Sequence, residues 1–119
     1  MTQTELFSIP PSYSFVLKCD GSSGAQKLEM DMAASLVKAF EIFKARQRKY
    51  GSTNIAKRGP YGVLVRLDDK LARLDQLFNQ GLGGSSTDES VEDTCIDIAN
   101  YALIALIAHR GDWPGWPHD

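Results

Sequence analysis

Cysteine and histidine are scarce in this 119-residue sequence, with two of each. Cys19 and Cys95 cannot build the stapled framework of a small secreted scaffold. Cys95, set in an apolar helical stretch, reads as a small buried hydrophobe. His109 and His118 have no partner at a metal-ligand or triad spacing, which leaves a histidine-based mechanism unsupported. Neither sign of charge dominates: 13 basic and 15 acidic side chains give a formal charge of −2. That balance gives no general reason to expect nucleic-acid or membrane-surface binding. The longest apolar stretch, Tyr101 to Ala108, is too short to span a bilayer. MTQTELFSIPPSY lacks the basic region and apolar run of a secretory signal. The expectation is a cytoplasmic protein. With 43% hydrophobic and 24% charged residues, the composition is that of an ordinary soluble domain. The length suits one domain over 1–119.

Along the chain, residues 1–24 read as an irregular arm. Tyr13 to Leu17 suit a strand or hairpin, and Asp20-Gly21-Ser22-Ser23-Gly24 suits a turn. From Ala25 to Tyr50, Leu28, Met32, Leu36, Ala39, Phe40 and Phe43 recur at spacings of three and four, which predicts an amphipathic helix. Lys44, Arg46, Arg48 and Lys49 suit the negative end of its dipole, and Gly51 is its stop. GSTNIAKRGP, residues 51–60, reads as a polar loop. A second helix is predicted over Tyr61 to Asn79, with Leu64, Leu67, Leu71, Leu74 and Phe78 on one stripe. Gly81 to Ser86 interrupts the chain. Ser86-Thr87-Asp88-Glu89 has capping-box spacing for a third helix that runs to His109 and stops at Gly111. The fold class is therefore all-α: a bundle of three main helices over 25–110, with a Trp/Pro tail over 111–119. Trp113 and Trp116 are expected to clamp that tail to the body or to a neighbouring subunit. The apolar run Tyr101 to Ala108 suits a helix buried all round. Three helices offer limited cover for it, so a second copy of the chain is expected to complete the bundle.

The third helix carries the chemistry. At about 100° per residue, Glu89, Asp93, Asp97 and Asn100 fall within an arc of roughly 80°. Carboxylates stacked at i, i+4 and i+8 repel one another, and Asp97 lies where the helix turns apolar. Basic partners, protonation or a divalent cation must compensate. Oxygen ligands suit Mg²⁺ or Mn²⁺, which makes Asp93 and Asp97 candidate metal ligands; the plainer reading is an acidic first turn exposed to solvent. On the second helix, Arg66, Asp69 and Arg73 share one side, with Lys70 at the margin of the leucine stripe. That set is either a salt-bridged solvent face or one metal carboxylate with two or three phosphate-binding cations. Glu29 and Gln47 fall within the apolar arc of the first helix. Lys49, Lys57 and Arg58 around the glycine-bearing loop are either a second place for an anionic ligand or a generic basic loop.

KYG at 49–51, GVLVRLDDKLARL at 62–74 and ESVEDTCIDIANYALIAL at 89–106 resemble a phage and bacterial family, nucleotide modification associated domain 1. That family is similar to the MazG-like all-α nucleoside triphosphate pyrophosphohydrolases. The wider group holds Mg²⁺ with E-E-x-x-E on one helix and E-x-x-D on a later one. Asp97 stands at the final Asp. Thr94 replaces the Glu before it, so Asp93 or Glu92 would take that place. Asp68-Asp69 is the only acidic pair on the second helix, and the resemblance favours Asp69 over Asp68 as the ligand.

What this implies is Mg²⁺- or Mn²⁺-dependent release of monophosphate and pyrophosphate from a (deoxy)nucleoside triphosphate. Asp69, Asp93 and Asp97 would hold the metal, Glu89 or Glu92 would orient water, and Arg66, Lys70, Arg73 and Lys49 would bind phosphate. The MazG-like group also implies a homodimer or homotetramer. A nucleotide binder without turnover, and then a structural adaptor, are the alternatives.

Overall fold

The computed structural model describes residues 17–79 and 87–116, without the side chains of Ser23 and of residues 87–90. Its helices are α1 (Ser23–Tyr50), α2 (Thr53–Ala56), α3 (Gly59–Asn79) and α4 (Thr87–His109). No strand occurs among the described residues, so the all-α expectation holds. The strand or hairpin over Tyr13 to Leu17 and the capping box at Ser86 fall wholly or mostly outside them.

Packing divides the chain into two units, residues 1–35 and 36–119. In the first, the carboxylate of Glu29 accepts a hydrogen bond from the Asp20 backbone N–H at 2.9 Å. Gly21 leaves room for that contact, because a Cβ there would sit 2.3 Å from Glu29 Oε2. Glu29 thus ties the incoming chain to the start of α1. Lys27 and Asp31, one turn apart, pair at 2.8 Å.

The second unit holds the end of α1 with α2, α3 and α4. Gly51, at φ 77°, ends α1, and its N–H returns to the Gln47 carbonyl at 2.9 Å. A positive φ costs glycine little, which is why the helix stops here. Gly111, at φ 81°, ends α4 in a Schellman motif. Its N–H reaches Ala108 O at 2.9 Å and the Asp112 N–H reaches Ile107 O at 3.1 Å. The chain then turns back, and Trp113 enters the core with Ile55, Ala56, Val63, Ile104 and Ala108. Its indole N–H donates to Ser52 O at 3.0 Å, and its ring meets Phe43 edge-on at 6.1 Å between centroids. The tail clamp expected of Trp113 is therefore made within the chain.

Four expectations are corrected. Residues 51–60 are more than a polar loop: α2 forms there and buries Ile55 and Ala56. Cys95 is exposed, not buried, because Thr94, Asp97 and Asn100 occupy the inward side of its helix. The run Tyr101 to Ala108 is not buried all round, since Leu103 and Leu106 remain 46% and 38% exposed. On α3 the inward positions are Val63 and Leu77, while Leu64, Leu71 and Phe78 form an exposed row at heptad spacing.

Candidate functional site

Two helices use the same spacing to face one cavity. Phe43, Arg46, Gln47 and Tyr50 on α1, and Asp97, Asn100, Tyr101 and Ile104 on α4, each follow i, i+3, i+4, i+7 and so share one side of their helix. Arg66 and Lys70 of α3 complete the wall, and Asn54 and Ile55 of α2 lie at the end marked by Gly51. The cavity, open to solvent on one side, has a volume of about 310 Å³, at the small end of ligand pockets.

Asp97 organises the polar side. Its carboxylate is 8% exposed, with Arg46 Nη1 on Oδ1 and Lys70 Nζ 3.0 Å from Oδ2. A buried carboxylate needs such partners, because desolvation disfavours a lone charge strongly. Of the three compensations open to Asp97, basic partners are the one the fold supplies. One turn on, buried Asn100 donates from Nδ2 to the Ala39 carbonyl at 3.0 Å and so fixes α4 against α1. Arg66 has no ion-pair partner among the described residues. Three cations facing one carboxylate leave two positive charges uncancelled. Arg66 and Lys70, one turn apart, also repel each other in the absence of an anion. The rings of Phe43, Tyr50 and Tyr101 line the same cavity, which therefore combines cations with flat apolar surface.

Arg66, Lys70 and Asp97 are thus brought together, but the remaining candidates are not. Asp69, Arg73 and Asp93 are exposed. Glu92 pairs with Lys38 at 2.9 Å, and Lys49 lies over the Tyr50 ring at 5.3 Å. The side chain of Glu89 falls outside the described residues. Among those residues no group of three His, Cys, Asp or Glu side chains could hold a metal ion. Both Asp97 oxygens are already taken by cations. As arranged, the set Asp69, Asp93 and Asp97 does not fit Mg²⁺ or Mn²⁺, which ask for several free oxygen ligands.

Arg46 was missed as a site residue, because its place near the end of α1 already suits the helix dipole. The available signal was its phase: it lies three residues beyond Phe43 and seven beyond buried Ala39, on the inward stripe. Gln47, which did fall within the apolar arc, lines the cavity as its phase implied.

No curated protein and no solved structure matched the chain. Residues 61–108, which include the α3 wall of the cavity and nearly all of α4, match the model of the family described as nucleotide modification associated domain 1.

Proposed function

We propose that this protein binds a nucleotide in the cavity between α1, α3 and α4. The observation that carries the reading is the gathering of Arg46, Arg66 and Lys70 with the rings of Phe43, Tyr50 and Tyr101 around one cavity of about 310 Å³. Phosphate oxygens would meet Arg66, whose planar fork suits them and which has no ion-pair partner among the described residues. The base would lie against the aromatic side, within reach of the amides of Gln47 and Asn54. The family description, with its reference to nucleotide modification, agrees with such a ligand.

Pyrophosphohydrolysis of a triphosphate, along the lines of the MazG-like enzymes, is second, because its metal set does not fit as arranged. A single experiment separates the readings: calorimetry with (deoxy)nucleoside mono- and triphosphates, with and without Mg²⁺ or Mn²⁺, and chromatography of the same mixtures. Saturable binding that Arg66→Ala weakens by about tenfold or more, with the nucleotide recovered intact, supports the binder. Monophosphate and pyrophosphate that vanish with EDTA would move the hydrolase to first place. No heat from any nucleotide would overturn both and leave the adaptor.

The reading includes a homodimer or homotetramer. Leu103 and Leu106 on α4, and the row Leu64, Leu71 and Phe78 on α3, are large apolar side chains left exposed in the single chain, the kind of surface that a partner covers. The proposed cover is a second copy of this chain.

A further inference from the structure

The net charge of −2 conceals a segregation that bears on the ligand. Beside the nucleotide cavity lies a groove of about 600 Å³ lined by Lys57, Arg58, Tyr61, Gly62, Val65 and Arg66. Arg66 belongs to both spaces, so the two adjoin. A third hollow of about 440 Å³ shares Tyr50 and Asn54 with the first and Lys57 with the second, so the three are neighbours. Among the described residues no acidic side chain lines the second or third hollow, and Asp97 is the one acid of the first. Around α2 there is thus a path with five cations and one carboxylate, on a chain with more acids than bases.

The local backbone holds this path in place. Gly62 N–H returns to Arg58 O at 3.3 Å, and a Cβ on Gly62 would sit 2.4 Å from Arg58 Cβ. Only glycine lets the Arg58 side chain lie along the start of α3. Tyr61 next to it is 75% exposed, a large flat ring kept in water between cations. An exposed ring beside basic side chains is the pattern by which proteins hold single strands: cations track phosphates and the ring stacks a base.

We propose that this groove carries the backbone of a single-stranded nucleic acid, with Lys57 and Arg58 on its phosphates and Tyr61 under one of its bases. A mononucleotide occupies one cavity, whereas a strand can run over neighbouring ones. Three phosphate-backed nucleotides would use charges and rings that a single one leaves idle. This inference goes beyond the mononucleotide reading and can stand without it.

The test is fluorescence anisotropy with a labelled deoxythymidine decamer, against the same label on a duplex and against competing thymidine monophosphate. The decamer is expected to bind at least about tenfold more tightly than the monophosphate and than the duplex. Tyr61→Ala should weaken it by about 5- to 100-fold. Lys57→Ala with Arg58→Ala should reduce the slope of log K against log salt by about 1.4. All three positions are exposed, so folding is retained, and monophosphate affinity stays at the wild-type value in both variants. Decamer and monophosphate of equal affinity, an unchanged salt slope, or tighter binding of the duplex would each overturn the inference. Decamer binding through Lys57 and Arg58 without monophosphate binding would keep it and sink the mononucleotide reading.

Discussion

Replacing Asp97 by Asn separates the ion-pair arrangement from a metal role, because the two predict opposite changes in ligand affinity. The carboxylate is 8% exposed, and its partners Arg46 and Lys70 are 46% and 33% exposed. Removing one member of a fully buried ion pair costs about 3–5 kcal/mol. Here both cations can regain water and Asn keeps the shape, so the loss is about 1–2 kcal/mol. For a domain of this size that lowers Tm by about 4–12 °C, read by circular dichroism. Binding moves the other way. Asp97 opposes an anion beside Arg46 and Lys70, and its neutralisation at an effective dielectric between protein and water contributes about 1 kcal/mol. Nucleotide affinity in Asp97→Asn should rise about fivefold, read by calorimetry at low salt. A variant with unchanged Tm would show that the pairing contributes nothing. A variant that binds nucleotide more weakly would refute the reasoning, since Asp97 would then serve the ligand directly.

Trp113→Ala should lose about 3–5 kcal/mol in urea unfolding, whereas Trp113→Phe, which forfeits the bond to Ser52 O, should lose about 1–3 kcal/mol; no loss in Trp113→Phe would discount that hydrogen bond. Gly51→Ala places a side chain at φ 77° and should cost about 1–2 kcal/mol by the same method. A neutral result there would show that α1 can end another way. Light scattering should give the wild-type protein a multiple of the 13.1 kDa chain mass, and Leu103→Glu should return it to the single chain. A wild type that scatters as one chain at micromolar concentration would remove the homo-oligomer.

Sequence alone determined the elements that depend on local physics. Periodicity and two glycines placed the end of α1 at Tyr50 and that of α4 at His109, where the structure has them. It also marked Asp97 as a carboxylate that needed compensation, since a charge entering an apolar helix cannot stay unpaired. The nature of that compensation was decided elsewhere, by a guanidinium 51 residues away.

Periodicity states which side chains share a face; it does not state which face meets a neighbour. Leu64, Leu71 and Phe78 satisfy a stripe as well as Val63, Leu67 and Leu77 do, and only the packing of α3 on α4 turned the second set inward. The same register set Lys70 against Asp97 and left Asp69, one residue away and about 100° around the helix, in solvent. Ile55 and Ala56 had too little sequence around them to show a helical period. Trp113, arriving from a distant part of the chain, and Val63 at the neighbouring start of α3 are what make that single turn part of the core.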